Sequence, residues 1–317
     1  MISSPNFSEL EELSSSAKEY ARNAYASNTL RAYRSDWAKF VHWGEQNDLP
    51  TLPSNPEVIG TYISFLADSG MAVSSIRRHL STIHKAHDLG EMESPVKSGR
   101  VNAIMRGIVR EHGNQQTRKK AITTKMVKDW IDLLPHDMPS LRDKAVVLVG
   151  FAGALRRSEI VALKFDDVQF IVEGMIFNIR SSKTDQEGEG EIVAIPYGEN
   201  EAYCPVRTLK KWVSDAEISE GPLLRSFWKG GAKIRPTAMN ARAVAEITKK
   251  MALQLGNNPD DYSGHSLRAG HATEAIRQGA SERVAMNQGR WKSRNVFRRY
   301  VREGSMFRDN SAKVLGL

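Results

Sequence analysis

A single cysteine, Cys204, is present among the 317 residues of the sequence. One cysteine excludes an internal disulfide framework and a cysteine-based zinc cluster, and such scarcity is typical of the reducing cytoplasm. No apolar run approaches the roughly 20 residues that span a bilayer. The N-terminal segment also lacks the basic and then apolar pattern of a signal peptide. These absences predict a cytoplasmic protein with no membrane partner.

Common motifs of metal and cofactor chemistry are also missing. The sequence has no HExxH zinc motif, no Walker A loop and no GxGxxG fingerprint, and its acidic residues form no compact cluster suited to two metal ions. His79, His84 and His87 lie close together in sequence, but helical spacing places His84 and His87 on different faces. We therefore interpret them as core or solvated residues and expect neither a metal nor a cofactor.

Positive charge is in excess. Lys and Arg number 45 against 37 Asp and Glu, a net charge of +8, which favours a polyanionic partner such as nucleic acid. The excess is uneven, because residues 1–117 hold 12 basic and 13 acidic side chains while residues 118–317 hold 33 and 24. Nucleic-acid contacts in the first part must therefore depend on where its charges lie.

The length suits two domains, and the polar stretch EHGNQQTRKK reads as a connection between them. We place an N-terminal helical domain at residues 1–112, a linker at 113–120 and a second domain at 121–317. Two apolar stripes at helical spacing comprise Leu30, Tyr33, Trp37, Phe40 and Val41, and then Val73, Ile76, Leu80 and Ile83. With further helices near residues 8–24, 56–68 and 101–111, the first domain is predicted to be a small helical bundle.

The second domain is predicted to be mainly helical with one β interruption. The β-branched runs FIVEGMIFNIRSSK and EIVAIPY flank the turn TDQEGEG, which indicates an antiparallel hairpin. Helices are expected at residues 125–134, 141–154, 205–217, 237–255, 265–278 and 293–302.

Several separated polar residues of the second domain are candidates for chemistry. Arg156 follows a glycine that lets one helix end and another begin, and Glu159, three residues later, lies on the same helix face. Lys183 ends the first hairpin strand. His265 and Arg268 begin a helix, where backbone N–H groups and both side chains form a plausible phosphate site. Taken singly, Arg156 with Glu159 is better explained as a surface ion pair and Lys183 as a surface lysine, and a histidine and an arginine at the start of a helix are also common without function.

The order of these residues is more informative than any one of them. Arg156, Lys183, His265 and Arg268 are followed by Trp291 and then, nine residues later, by Tyr300 in a basic helix. This series resembles the catalytic series of the tyrosine recombinases, the phage integrase family, and Trp291 in place of a second histidine resembles its Cre branch. The segments that carry the resemblance are LRRSEIVAL, SSKT, GHSLRAG and GRWKSRNVFRRYV, with SNTLRAYRSDWAKFVHW and MAVSSIRRHLSTIHKAH in the first domain.

The resemblance implies a two-domain clamp on double-stranded DNA, with a helical core-binding domain followed by an α+β catalytic domain. It implies strand cleavage and rejoining through a 3′-phosphotyrosyl link, without metal or ATP. Arg156 and Arg268 are implied to hold the two non-bridging oxygens of one phosphodiester, with Glu159 fixing the geometry around Arg156.

The remaining roles implied by the resemblance concern proton transfer. Tyr300 is the implied nucleophile, His265 its general base and Lys183 the general acid for the departing 5′-oxygen. Trp291 is implied to bond a phosphate oxygen and to pack against Tyr300. Tyr262 is a rival nucleophile by proximity to His265, but it precedes the motif, whereas the tyrosine of the family follows it.

DNA reading and assembly are less defined by the sequence. The DNA-binding candidates are Arg31, Ser35, Ser75, Arg77, Arg78, Asn240 and Arg242. The resemblance implies four protomers on two sites with short inverted repeats, with the apolar tail residues Val314, Leu315 and Leu317 docking into a neighbour. The chain also begins without an evident extra DNA-binding domain before residue 8. His271, where relatives often have an apolar residue, is expected to be packed or to cap.

Two other functions fit parts of the pattern. A type IB topoisomerase uses similar basic groups and a tyrosine, but the N-terminal helical domain and the tail favour a recombinase. A DNA-binding repressor or accessory factor could keep the fold without the chemistry. Every catalytic position is filled, which favours an enzyme.

Overall fold

The computed structural model describes residues 27–113, 119–180, 190–231, 233–307 and 310–315. The chain divides into two compact units, residues 1–117 and 118–317, and this division falls within the stretch that was predicted to be a linker. The helix predicted at residues 8–24 lies outside the described residues. Within the described ranges, no helix is both long enough and apolar enough to cross a membrane.

The regular elements of the first unit are helices within the described residues. Its helices are α1 (Ser27–Gln46), α2 (Pro56–Asp68), α3 (Val73–Leu89) and α4 (Gly99–His112). Local capping sets two of the starts, since Asn55 accepts a hydrogen bond from the backbone N–H of Val58 and Ser98 accepts one from Val101. Among the described residues, the helices predicted at 56–68 and 101–111 are confirmed to within two residues.

The apolar stripes of α1 and α3 form one core with α2. Trp37 and Phe40 of α1 and Ile76 and Ile83 of α3 are buried together. His79 is also buried and shares a 3.0 Å hydrogen bond between its Nδ1 and the Tyr62 hydroxyl. The core interpretation of His79 is therefore confirmed.

The second unit is larger and mainly helical. Its helices are α5 (Thr124–Asp132), α6 (Met138–Ala152), α7 (Arg157–Ala162), α8 (Pro205–Asp215), α9 (Ala241–Gln254), α10 (His265–Arg277), α11 (Glu282–Gly289) and α12 (Arg294–Ser305). Trp130 and Trp212 are buried in its core, and both indole N–H groups are satisfied, by Gln254 Oε1 at 2.8 Å and by the Leu223 carbonyl at 2.9 Å.

Two small antiparallel sheets complete this unit. One has the order β1-β2-β3, formed by Val168–Phe170, Gly174–Ile179 and Glu191–Pro196, with Phe177 opposite Val193. The other pairs β4 (Arg225–Phe227) with β5 (Ile234–Ala238). The predicted mainly helical fold with a small antiparallel sheet is confirmed.

Several details of the secondary-structure prediction are wrong. The first predicted hairpin strand is broken after Phe170 by a turn, so that its residues belong to β1 and β2. The prediction of a single β interruption misses β4 and β5, and residues 237 and 238 belong to β5 rather than to the start of α9. Pro236 in β5 obscures this strand in the sequence, because proline cannot donate to a ladder and is found at sheet edges.

Candidate active site

Arg156 and Glu159 meet at the start of α7. The chain leaves α6 through Ala154, whose φ of 47° is left-handed, and Arg156 then becomes the residue that precedes the first turn of α7. The Glu159 carboxylate accepts from the backbone N–H of Arg156 at 2.8 Å and from its Nη1 at 2.6 Å. One carboxylate thus fixes both the main chain and the guanidinium of Arg156.

A second arginine, Arg290, binds the same carboxylate. Its Nη2 lies 2.6 Å from Glu159 Oε2, and its Nη1 lies 3.3 Å from Glu191 Oε2 at the start of β3. Burial raises the pKa of the Glu159 carboxyl, but the charge and hydrogen bonds of Arg290 and Arg156 outweigh burial and hold the pKa below its usual value. The sequence reasoning missed Arg290, because α11, the helix that delivers it, was not predicted.

Arg268 is held inside the unit by two contacts. Its Nη1 donates to the Ala154 carbonyl at 2.5 Å, and its guanidinium carbon lies 4.0 Å from the centroid of the Trp291 ring. Burial, followed by the charge of Arg156, lowers the pKa of Arg268 to about 9, which leaves the guanidinium protonated at neutral pH. A fixed positive charge therefore lies beside Trp291.

His265 faces the tyrosine that the sequence proposed as nucleophile. His265 Nε2 lies 3.2 Å from the Tyr300 hydroxyl. Burial and the charges of Arg299, Arg268 and Arg156 lower the pKa of His265, which favours the neutral imidazole that can accept a proton. One expectation about the phosphate site needs correction. The backbone N–H of His265 donates to Ser263 Oγ and is therefore not free to bind a phosphate.

Tyr300 is buried in an aromatic cluster. Its ring centroid lies 5.5 Å from that of Trp291 and 5.7 Å from that of Phe297. Trp291 folds over Gly289, where a Cβ atom would lie only 1.7 Å from Trp291 Cζ3. Gly289 therefore allows the indole to reach the position in which it supports Tyr300.

A further neighbour of Tyr300 was not anticipated from the sequence. Arg299 Nη2 donates to the Tyr300 hydroxyl at 2.5 Å, and the guanidinium carbon lies 4.5 Å from the centroid of the tyrosine ring. Consecutive helical residues normally point in different directions, so spacing gave no signal for this pair.

Two family models match this chain. A model of the phage integrase family matches residues 120–305, and a model of the N-terminal SAM-like domain of phage integrases matches residues 19–89. The chain belongs to the phage integrase family. Members of this tyrosine recombinase family are enzymes that cleave and rejoin DNA.

Curated relatives cover most of this integrase-family chain. It is 38% identical over 304 residues to an integrase/recombinase xerD homolog of Selenomonas ruminantium, covering 95% of this chain and 89% of the relative. It is 24% identical over 299 residues to the recombinase cre of Escherichia phage P1, covering 89% and 85%.

Solved structures share the integrase-family fold. XerH recombinase bound to a palindromic difH substrate matches with a TM-score of 0.67 at 14% identity, covering 98% of this chain and 87% of that chain. The Tn1549 transposon integrase in complex with transposon right end DNA matches with a TM-score of 0.65 at 12% identity, covering 92% and 97%.

Two further chemical candidates have different outcomes. Lys183 falls outside the described residues. Tyr262, the rival tyrosine, is buried, and its hydroxyl contacts Met126 Sδ at 3.8 Å. Within the described ranges, no three His, Cys, Asp or Glu side chains converge closely enough to hold a metal ion.

The DNA-binding candidates of the first unit differ in what they contact. Arg31, Ser35 and Arg77 are exposed and Ser75 is half-buried. Arg78 instead binds the buried Asp36 through both Nε at 2.6 Å and Nη2 at 3.0 Å.

In the second unit the two candidates lie at the start of α9. Asn240 caps this helix by accepting from the Arg242 backbone N–H at 2.8 Å. The Arg242 side chain is exposed and lies 3.2 Å from Glu246. Their DNA contacts remain predictions.

Proposed function

We propose that this chain is a site-specific DNA recombinase that acts through a 3′-phosphotyrosyl intermediate. The observation that carries the proposal is the 3.2 Å approach of His265 Nε2 to the Tyr300 hydroxyl. A potential nucleophile and its base are within hydrogen-bonding distance, which is the first geometric requirement of nucleophilic catalysis.

The arginines supply charge for phosphoryl transfer. In the proposed mechanism Arg156 and Arg268 bind the two non-bridging oxygens of the scissile phosphate. Guanidinium groups suit this task because they present parallel N–H donors and stay charged, and stabilisation of the developing charge is the main requirement of such a reaction. The contacts of Glu159 and the Ala154 carbonyl hold both guanidinium groups before DNA binds. Trp291 supports Tyr300 and donates its indole N–H to a phosphate oxygen.

Proton transfer completes the cleavage step. A free phenol ionises near pH ~10, so Tyr300 needs a base to react at neutral pH. His265 takes the phenol proton as the oxygen attacks phosphorus, and the 5′-oxygen leaves with a proton from Lys183. The role of Lys183 is supported by its place in the sequence motif alone.

Rejoining and assembly follow from the covalent link. The phosphotyrosyl bond retains the energy of the broken phosphodiester, so attack by a second 5′-hydroxyl rejoins the strands without ATP. We propose that four protomers act on two short inverted-repeat sites, with residues 1–112 and 121–317 as the two DNA-binding domains and the C-terminal tail docking into a neighbouring protomer. A solved structure of similar fold contains a lambda integrase dimer bound to a COC' core site. This similarity supports the proposal that the partner of the chain is DNA.

A covalent-trapping experiment tests the proposed chemistry. Nicked DNA from the region that flanks the gene is incubated with the protein in EDTA, denatured with SDS and analysed for protein-linked strands. A nick beside the cleaved phosphate releases a short fragment and prevents rejoining. We expect an adduct with the wild type and with Tyr262→Phe, and none with Tyr300→Phe.

The outcomes separate the alternatives. Sequencing the trapped strands gives the cleavage position, and one defined position with exchange between two sites supports a recombinase. Adducts at many positions with relaxation of supercoils would instead indicate a topoisomerase. Sequence-specific binding without an adduct in the wild type would indicate a DNA-binding protein that lacks the chemistry.

A further inference from the structure

The Tyr300 hydroxyl lies between the side chains of His265 and Arg299. Of these two, only His265 was assigned a catalytic role above. Arg299 donates from Nη2 to the hydroxyl oxygen at 2.5 Å, while His265 Nε2 lies 3.2 Å away. To make this contact Arg299 folds back over the ring of its sequence neighbour, with 4.5 Å between its guanidinium carbon and the ring centroid.

Hydrogen-bond chemistry gives these contacts a direction. A guanidinium can only donate, so the phenol oxygen accepts from Arg299. The phenol proton then faces His265, whose lowered pKa keeps the imidazole available as an acceptor. The three side chains form one chain of donation that runs from Arg299 through Tyr300 to His265.

The surroundings of Arg299 are unusual for an arginine with a purely structural role. Among the described residues no carboxylate pairs with it, and its Nε is buried without a hydrogen-bond partner. Glu159, the carboxylate of the cluster, is bound by Arg156 and Arg290. Arg299 is half-buried. Even partial burial of a charge is costly unless the charge is paired, and here the polar contact of the guanidinium is with the phenol.

We propose that Arg299 is a further catalytic residue that stabilises the phenolate form of Tyr300, and this role rests on the proposed function. As Tyr300 attacks, its proton passes to His265 Nε2 and its oxygen forms the new bond to phosphorus. The bond from phosphorus to the 5′-oxygen breaks with its electron pair, and that oxygen takes a proton from the general acid. Arg299 keeps all its protons and supplies positive charge beside the oxygen that is losing its proton.

Titratable and charged groups on several elements act on the site around Tyr300. His265 and Arg268 lie on α10, Arg299 lies on α12 itself, and Arg156 precedes α7 and acts electrostatically on both α10 residues. A test must therefore separate Arg299 from the general positive charge of the site. Arg298 offers a matched control, because it is also an arginine on α12 but is exposed.

The first arm of the test needs no DNA. The substitution Tyr300→3-fluorotyrosine places a fluorine reporter on the ring, and its ¹⁹F resonance is followed against pH in the full-length protein. We expect Arg299→Leu to move the ionisation midpoint of the fluorophenol to higher pH, Arg299→Lys to move it less and Arg298→Leu to leave it unchanged. An unmoved midpoint in Arg299→Leu overturns the proposal.

The second arm measures the reaction on the nicked DNA described above. We expect Arg299→Leu to slow formation of the Tyr300 adduct on the order of 100-fold, with Arg298→Leu close to wild type. Replacing Tyr300 by a more acidic trifluorotyrosine should recover part of that loss in Arg299→Leu, because such a phenol loses its proton more readily.

Failure of the proposal differs from failure of the proposed function. If the wild type forms no adduct, the function is wrong and the catalytic role of Arg299 is wrong with it, whatever the fluorine titration gives. If the wild type reacts and Arg299→Leu reacts equally fast, only the role of Arg299 is overturned. Weaker binding of nicked DNA with an unmoved midpoint would make Arg299 a phosphate contact and would also overturn the proposal.

Discussion

Arg290 and Glu159 are separated by 131 positions in the sequence, yet their side chains meet at 2.6 Å inside the second unit. The two side chains are 6% and 2% exposed, so this is a buried ion pair. Arg290 makes it from a left-handed backbone, with φ 58° and ψ 43°, at the end of α11. An arginine is thus kept in a conformation that favours glycine, because its guanidinium holds the carboxylate that orients Arg156.

Replacing Arg290 should separate the ion pair from the backbone conformation. Arg290→Ala removes the partner of a buried carboxylate and should lower the free energy of unfolding by about 3 kcal/mol. Arg290→Gly loses the same ion pair but adopts the left-handed backbone without a Cβ, so it should be about 1 kcal/mol more stable than the alanine variant. Urea unfolding of both variants gives the difference, and equal stabilities would contradict the role of the backbone.

The support of Tyr300 by Trp291 leads to a second prediction. Gly289→Ala places a Cβ 1.7 Å from Trp291 Cζ3, so the indole has to move. We expect a loss of about 1–3 kcal/mol in stability from the added atom and at least a ~10-fold slower Tyr300 adduct. The Trp291 resonance of protein labelled with 5-fluorotryptophan reports the movement directly.

Gly107→Ala is a suitable control for this change. Gly107 lies within α4, and a Cβ there meets no atom within 4 Å. Alanine is the better helix former, so this variant should gain about 0.5–1 kcal/mol and leave the Trp291 resonance in place. An unshifted resonance in Gly289→Ala would show that the ring accommodates the methyl group.

The sequence predicted correctly those features that depend on residues close together in the chain. Helix α3 was predicted correctly, because Val73, Ile76 and Ile83 repeat at helical spacing and face one core. The contact of Arg156 with Glu159 was also anticipated, because it joins two residues within one helical turn. Short-range spacing is sufficient in both cases.

Other features depend on contacts that spacing cannot reveal. Helix α11 was missed because its sequence ERVAMNQG leaves Val284 exposed, so no apolar stripe marks it. Without α11 there was no reason to bring Arg290 to Glu159. Arg299 was missed because its contact with Tyr300 depends on a side-chain conformation and not on helical periodicity.

Adjacent arginines of α3 should behave differently in the first unit. Arg77 is exposed, whereas Arg78 binds Asp36, whose side chain is 1% exposed. Arg77→Ala should weaken DNA binding with a change in unfolding free energy below about 0.5 kcal/mol. Arg78→Ala should cost about 2 kcal/mol, less than a fully buried pair because half of the guanidinium is exposed to solvent.

DNA-binding titrations at several salt concentrations and urea unfolding distinguish these two effects. If Arg77 contacts a phosphate, Arg77→Ala should reduce the salt dependence of DNA binding. If Arg78→Ala weakened DNA binding strongly and kept full stability, the Asp36 contact would be incidental and Arg78 would be a DNA contact as first predicted from the sequence.

His271 should make the stability of the second unit sensitive to acid. The ring is half-buried with its edge toward Phe151, and burial lowers the pKa of His271 to about 4. Because the folded state resists the proton, this contribution is complete above the unfolded pKa of about 6.5 and is lost as the pH falls toward 4. At pH 5 the loss of folding free energy amounts to about 2 kcal/mol. Urea unfolding from pH 7.5 to 5 should show that loss in the wild type and a correspondingly smaller one in His271→Gln.

His136→Gln, at an exposed position of the same unit, controls for the removal of a histidine. Equal pH dependence in wild type and His271→Gln would mean that the folded protein takes up the proton at His271 as easily as the unfolded chain does.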